Sequence, residues 1–142
     1  MDNLSFEKIW EDLDFYEIKV EANNDDVKVH TRLFVNKSDI VLLSDYIKNI
    51  VNLPNDSFYW EIGDTDLSVE SFLSIKKIKN DQFGHFWLEI NIGFQNDCNI
   101  DYYCKFPILT ELGLLLSFSE KILSLNQNKN YIKCNLNSNL DE

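Results

Sequence analysis

The sequence predicts an α+β fold in which an antiparallel sheet of about five to six strands carries helices packed mainly on one face. Long runs of alternating apolar and polar residues indicate the strands, and short polar turns between them favour antiparallel neighbours. Other segments repeat apolar residues at helical spacing. The chain has 142 residues, of which 44% are hydrophobic, enough for one core. We therefore expect one domain over residues 1–126, followed by a polar, Asn-rich C-terminal tail over 127–142.

The first half of the chain is predicted to contain two helices around a hairpin. Apolar side chains recur at helical spacing in residues 4–13, and they are Phe6, Ile9, Trp10 and Leu13. Apolar residues then occupy every second position of 15–22 and of 27–35, with turn-forming Asn and Asp residues between the two runs. A second helix is expected over 38–51, capped by Ser38, with Pro54 just beyond its end.

The second half is predicted to contain four strands and a final helix. The strands lie at 58–62, around 73–75, at 86–94 and at 100–108, each bounded by polar turn residues. Thr110 can cap the last helix, whose apolar stripe runs from Leu112 to Leu123. Within the tail, one short edge strand is expected near Tyr131.

The charge balance restricts the classes of partner. The chain carries 24 acidic and 13 basic residues, a net charge of -11. This charge disfavours binding to DNA, RNA or an anionic membrane, since each requires basic side chains to meet phosphate. The charge favours a basic partner; alternatively, it serves only to keep the protein soluble. Neither a secretory signal nor a membrane-spanning run is recognisable, so a cytoplasmic location is expected.

No motif in the sequence indicates catalysis. Neither a G-x-S-x-G elbow nor a Gly-rich nucleotide signature is present. The two histidines, His30 and His85, have no ligand spacing around them that would require a metal. We expect no catalytic residues, no metal and no cofactor. A small hydrolase or ligand-binding module stays as an alternative, and it would require a pocket with converging polar groups.

Aromatic residues on the predicted open face of the sheet indicate a binding surface. Helices on one face leave the other open, and its outward positions include Phe34, Trp87 and Tyr103, with Glu89 and Asp101 among them. Aromatic rings beside carboxylates are typical of protein interfaces. The alternative is that the first helix covers this face, so that Trp87 packs against Trp10.

An acidic loop after the predicted strand at 58–62 adds a second candidate surface. Asp64, Asp66 and Glu70 lie close together in the sequence, beside Asp56 and Glu61. Paired carboxylates could in principle serve a glycosidase, but the ordinary interpretation of Asp64 and Asp66 is a solvated turn.

The layout of the chain resembles that of a known class of proteins. Three segments contribute: W-E-I-G, G-H-F-W-L-E-I-N-I, and F-P-I-L-T-E-L-G-L-L-L-S-F before the last helix. Over most of residues 15–126 this pattern resembles small immunity proteins encoded beside bacterial polymorphic or contact-dependent toxins. The resemblance implies a protein without catalytic residues that neutralises a cognate toxin by binding it. It also implies a basic toxin domain, since many such toxins are nucleases.

These observations lead to two hypotheses on partners. In the first, the chain binds a toxin through seven residues: Phe34, Asp64, Asp66, Trp87, Glu89, Asp101 and Tyr103. In the second, the chain is a non-catalytic adaptor or structural protein that forms a homodimer through the open sheet face.

Overall fold

The computed structural model describes residues 2–127 and 132–138. Within these ranges the elements are, in order, β1 (Asn3–Glu11), β2 (Phe15–Asn23), β3 (Lys28–Asn36), α1 (Lys37–Asn52), β4 (Tyr59–Gly63), β5 (Phe72–Asn80), β6 (His85–Gln95), β7 (Asp101–Glu111), α2 (Leu112–Lys121), a 3-10 helix (Ile122–Asn126) and β8 (Lys133–Asn135). In this part of the chain no helix is long and apolar enough to cross a membrane.

The strands form two antiparallel sheets, and the predicted α+β class is confirmed. The first sheet has the order β3-β2-β1-β8, and the second has the order β4-β5-β6-β7. The prediction of one sheet with about five to six strands differs from this arrangement. Helix α1 lies between β3 and β4 in the chain, and β4 starts a new meander with β5 instead of pairing with β3.

The predicted helix over residues 4–13 is wrong, because this segment is strand β1. It pairs with β2 on one side and with β8 on the other. A bulge between Lys8 and Trp10 shifts the alternation by one residue, which gives the apolar positions their helix-like spacing. The inward position before the bulge is held by Lys8, whose buried ammonium donates to the Leu125 carbonyl at 2.9 Å and pairs with Glu11 at 2.7 Å. A buried lysine therefore conceals the strand pattern.

The other two predicted helices are present. Helix α1 begins at Lys37, one residue before the expected cap Ser38, and the Asp39 carboxylate accepts a hydrogen bond from the Asn36 amide at 2.9 Å. Helix α2 begins after Glu111 and not after Thr110, whose hydroxyl instead bonds to the Asn137 side chain at 2.6 Å. The two helices pack together, and the Ser44 hydroxyl of α1 donates to the Ser119 carbonyl of α2 at 2.7 Å.

Both sheets and both helices share one hydrophobic core. Phe6 of β1 is fully buried and contacts Trp60 of β4 and Phe118 of α2, with ring centroids 6.2 Å and 5.7 Å away. The Trp60 indole donates to the Asp39 carbonyl at 2.9 Å, which connects the second sheet to α1. These contacts fix how the first sheet sits against the second.

Part of the segment predicted as a tail belongs to the first sheet. Strand β8 pairs with β1, the Leu136 amide donates to the Leu4 carbonyl at 2.8 Å, and both Cys134 and Leu136 are buried. Tyr131, near which the short strand was expected, lies outside the described residues.

Candidate functional site

Three aromatic rings form a cluster on the outer face of the first sheet. We call Trp10, Phe15 and Phe34 the aromatic cluster. Their ring centroids lie 5.5–6.3 Å apart, and two of the three contacts are edge-to-face. Trp10 and Phe34 are 47% and 49% exposed, respectively, although packed aromatic rings usually lie in a core. The β1 bulge creates the cluster, because it turns Trp10 to the outer face opposite Glu17, and Glu17 in turn lies opposite Phe34.

A cleft of about 600 Å³ lies between this cluster and the second sheet. Phe15 and Phe34 line one side, and Ile62 and Gly63 of β4 line the other. Three carboxylates complete the lining, and they are those of Asp39, Glu61 and Glu70. None of the described residues that line the cleft is basic. We call this the acidic cleft.

Two of the three carboxylates already accept hydrogen bonds that hold them in place. The Asp39 side chain accepts the Asn36 amide, and Glu61 accepts the Tyr59 hydroxyl at 2.7 Å. Partial burial and the bond to Glu61 raise the pKa of Tyr59, so its phenol stays protonated and keeps donating. The acidic cleft therefore presents negative charge at fixed positions beside exposed aromatic surface.

An exposed leucine extends the apolar surface at the neighbouring turn. Leu13 is 92% exposed at the tip of the β1–β2 turn, between Asp12 and Asp14. The Asp12 side chain accepts the Leu13 amide, and the Asp12 amide donates to the Phe15 carbonyl at 2.8 Å. The turn thus holds an apolar tip between two carboxylates.

The predicted loop residues Asp64 and Asp66 shape their own turn. The Asp64 carboxylate accepts the Asp66 amide at 2.9 Å, and the Asp66 carboxylate accepts the Ser68 hydroxyl at 2.6 Å and the Ser68 amide at 3.1 Å. The bonds from the Ser68 hydroxyl and amide lower the pKa of Asp66. Both carboxylates therefore have a local structural role, while Glu70, at the end of the same loop, faces the acidic cleft.

The loop is anchored over the outer face of the second sheet. Leu67 is buried, and a side chain at Gly93 of β6 would have its first carbon 3.1 Å from Leu67 and 3.3 Å from the ring of Tyr103. Leu67 and Tyr103 therefore pack over the same glycine. This contact brings two of the predicted sites together, namely the acidic loop and Tyr103.

Trp87 and Glu89 lie on β6, where lysines of β5 already contact them. The ammonium of Lys79 lies 4.6 Å from the centre of a Trp87 ring, and Lys76 lies 3.7 Å from the Glu89 carboxylate. Trp87 does not contact Trp10, which packs in the aromatic cluster of the other sheet. The expectation that a helix covers Trp87 fails, because the segment containing Trp10 is strand β1.

The structure divides the five predicted partner-binding residues that lie on strands into two groups, while Asp64 and Asp66 lie in the loop between β4 and β5. Phe34 lies in the first sheet, whereas Trp87, Glu89, Asp101 and Tyr103 lie on β6 and β7 of the second. One continuous open face, as the sequence predicted, is therefore not formed. Phe34 instead lines the acidic cleft together with carboxylates of α1, β4 and the acidic loop.

Sequence reasoning missed several residues of this site. The sequence pattern assigns Trp10 and Leu13 to a helix stripe, and Asp39 is not among the predicted site residues. Glu61 and Glu70 were noticed as part of an acidic stretch, but their position beside Phe34 depends on contacts between the two sheets. The signal that could have revealed Trp10 is the period-two pattern of residues 4–8, interrupted only by Lys8.

The two histidines lie in different sheets. His30 is on β3, while His85 begins β6, where its ring bonds to Asp81 at 2.7 Å. Within residues 2–127 and 132–138, no group of three or more His, Cys, Asp or Glu side chains is arranged to hold a metal ion. Comparison with known protein families, curated proteins and solved structures gives no match for this chain.

Proposed function

We propose that this chain is a cytoplasmic immunity protein that neutralises a cognate bacterial toxin by binding it directly, without chemistry of its own. The observation that carries the proposal is the acidic cleft, where two phenylalanine rings lie beside three carboxylates and no basic residue. Such a surface suits a basic protein domain, as expected for a nuclease-type toxin. The resemblance to immunity proteins is the reason for proposing a toxin as the partner. The net charge and the acidic cleft are the reasons for expecting that partner to be basic.

The aromatic cluster would provide the affinity. Large rings near the centre of an interface carry most of the binding free energy when a partner removes them from water. Trp10 and Phe34 expose such surface next to each other, and Leu13 exposes more at the β1–β2 turn. A typical interface buries about 1,600 Å² in total, so the partner would also cover the β1–β2 turn and the acidic loop.

The net charge would provide speed and selectivity. A chain with a charge of -11 attracts a basic partner over distances comparable to the screening length, which raises the association rate. Occupying a basic cleft would also keep phosphate groups out of it. Added salt should therefore slow association while leaving dissociation nearly unchanged.

The experiment uses the product of the neighbouring upstream gene and two matched phenylalanine variants. Phe34→Ala removes an exposed ring of the aromatic cluster, and Phe83→Ala removes a ring that is 76% exposed in the β5–β6 turn. The acidic cleft adjoins the opposite end of β5, a strand of roughly 30 Å. We expect Phe34→Ala to weaken toxin binding by at least about 2 kcal/mol and Phe83→Ala by less than about 0.5 kcal/mol in calorimetry.

A second pair of variants tests the electrostatic part. Glu70→Gln removes a cleft carboxylate, whereas Glu120→Gln removes an exposed carboxylate on α2. Glu70→Gln should slow association more than Glu120→Gln, and the difference should shrink with added salt. Absence of any complex between the two purified chains would refute the proposal. Equal effects of the two phenylalanine variants would show that the toxin does not bind at the acidic cleft.

A further inference from the structure

The open edge of the second sheet is protected along only part of its length. Strand β7 is the outermost strand beside β6, and with 11 residues it is longer than the outer strands β4 and β8. An exposed strand edge offers backbone groups to any other strand, so proteins usually cover or interrupt such edges. How β7 is covered therefore shows which part of it can pair.

The hydrogen-bond pattern at both ends of the β6–β7 ladder identifies the edge-facing residues. The Leu112 amide donates to the Gly84 carbonyl at 2.9 Å, and the Asn96 amide donates to the Ile100 carbonyl at 3.0 Å. These bonds make the flanking pairs, His85 with Glu111 and Gln95 with Asp101, non-hydrogen-bonded pairs. The register between them is unbroken, so alternate residues of β7 direct their backbone groups away from β6. They are Asp101, Tyr103, Lys105, Pro107, Leu109 and Glu111.

Side chains from three other segments block the second half of this edge. The Leu109 backbone amide donates to the Asp2 carboxylate at 2.8 Å, and the Leu109 carbonyl accepts a hydrogen bond from the Asn137 side-chain amide at 2.8 Å. The Pro107 carbonyl accepts the Asn24 side chain at 3.1 Å, and Pro107 has no amide hydrogen to offer. No strand can pair with this half without displacing those side chains.

The first half of the edge has no such cover within residues 2–127 and 132–138. In these ranges, no hydrogen bond is made to the edge-facing backbone groups of Asp101, Tyr103 or Lys105. The side chains of these three residues are exposed on the outer face of the sheet, and Tyr103 is 67% exposed. We call residues 101–105 the open edge.

We propose that the open edge pairs with the open edge of a second copy of this chain, antiparallel and centred on Tyr103. In this register, Tyr103 faces its own counterpart as a hydrogen-bonded pair, and Asp101 of each copy lies opposite Lys105 of the other. The two charged pairs are therefore complementary by symmetry. A ladder centred on a neighbouring residue would not place Asp101 opposite Lys105. A longer ladder would include Pro107, which has no amide hydrogen to donate.

The dimer formed in this way is weak and reversible. Only five residues of each copy take part in the ladder, which is far less than a standard interface. The charge of -11 on each copy adds long-range repulsion, so association is strongest when salt screens it. The open edge lies on β7, at the opposite edge of the second sheet from β4, roughly 14 Å across three strand spacings, and none of its residues lines the acidic cleft.

Charge exchange at the two complementary positions tests the register. Asp101→Lys and Lys105→Asp each replace two attractive pairs by two repulsive ones, and each should weaken dimerisation on the order of tenfold or more. The double variant restores opposite charges and should recover the dimer. Sedimentation velocity over a concentration series, at physiological ionic strength, measures all four proteins. A wild-type chain that stays monomeric throughout overturns the proposal, as does a double variant no better than the single ones.

Cross-linking tests the centre of the ladder separately. In a background carrying Cys98→Ser, which removes an exposed thiol, Tyr103→Cys places two cysteines opposite each other at a Cα separation of about 5.5 Å. Leu109→Cys, on the blocked half of the same strand, is the control. We expect a disulfide-linked dimer from Tyr103→Cys under mild oxidation and little from Leu109→Cys. Equal cross-linking of the two variants, or none, would exclude pairing through the open edge.

Discussion

Two glycines with similar backbone conformations allow steric crowding to be separated from backbone strain. Gly63, where β4 ends beside the acidic cleft, has a φ of 90°, and Gly84, in the β5–β6 turn, has a φ of 83°. Both values lie in the region that residues with a side chain rarely adopt. The perturbation is the same in both cases, a single methyl group introduced by Gly63→Ala or Gly84→Ala.

The surroundings of the two glycines differ sharply. A methyl group at Gly63 would lie 1.9 Å from the Ser71 carbonyl oxygen, well inside contact distance, whereas at Gly84 the nearest atom is the Leu112 Cβ at 3.8 Å. Ser71 immediately precedes β5, and its carbonyl accepts the Asp64 amide at 3.3 Å. Relief of the clash at Gly63 therefore requires the closing bond of the acidic loop to break.

The expected magnitudes follow from these distances. Gly84→Ala should destabilise the protein by about 1–3 kcal/mol, since it adds backbone strain alone. Gly63→Ala should cost the same strain plus about 0.5–1.5 kcal/mol for the lost hydrogen bond, and more where the loop cannot shift. The displaced loop should also move Glu70, so Gly63→Ala should weaken toxin binding while Gly84→Ala leaves it unchanged.

Urea unfolding, followed by tryptophan fluorescence, measures both variants against the wild-type protein. The midpoints give the difference in unfolding free energy, provided that the slopes of the transitions agree. If Gly63→Ala is no more destabilising than Gly84→Ala, the close approach of Ser71 to Gly63 is not a constraint on the fold, and the reasoning fails.

Three further changes test the core, the second sheet and the acidic loop. Phe6→Ala should destabilise the fold by about 3–5 kcal/mol in urea unfolding, and a cost similar to that of Phe83→Ala would contradict the shared core. If Trp87 anchors the toxin, as the sequence predicts, Trp87→Ala weakens calorimetric binding by at least about 2 kcal/mol, whereas a loss under about 0.5 kcal/mol assigns the ring to packing within its sheet. Because the pKa of Asp66 is depressed, its bonds to Ser68 stabilise the loop fully at pH values above the ordinary pKa of an aspartate. This stabilisation is lost as the pH falls through the depressed pKa and the carboxylate is protonated. The Ser68 amide signal in NMR should follow that titration, and a pH-independent signal would argue against it.

Strands with strict alternation were predictable, because their burial follows the sequence pattern closely. In β2 and β3 every second residue is buried or nearly so, and β6 repeats this pattern over most of its length. Helix α1 was predictable for the equivalent reason, since its buried residues recur at helical spacing. Where one face of an element is buried, local sequence is sufficient.

Strand β1 was not predictable in this way, for two physical reasons. Lys8 occupies a buried position because a carbonyl and a carboxylate satisfy its ammonium, and both partners are visible only after folding. The bulge then changes the period within the strand. With β1 misassigned, the division into two sheets was hidden as well.

The candidate site depended even more on long-range contacts. Phe34 could be selected as an exposed ring on a strand, but the residues that surround it come from β1, α1, β4 and the acidic loop. None of these neighbours follows from local periodicity. The sequence therefore indicated that the surface is aromatic and acidic, but it did not indicate which residues form it.

The position of β1 between β2 and β8 has a consequence for synthesis on the ribosome. Its neighbour β2 is synthesised directly after it, whereas β8 is synthesised only after every other described element. Until β8 emerges, one side of the nascent β1 has no permanent partner. Ribosome stalling or termination before β8 would thus release chains with this side bare, so maturation of the first sheet requires translation to pass Asn135.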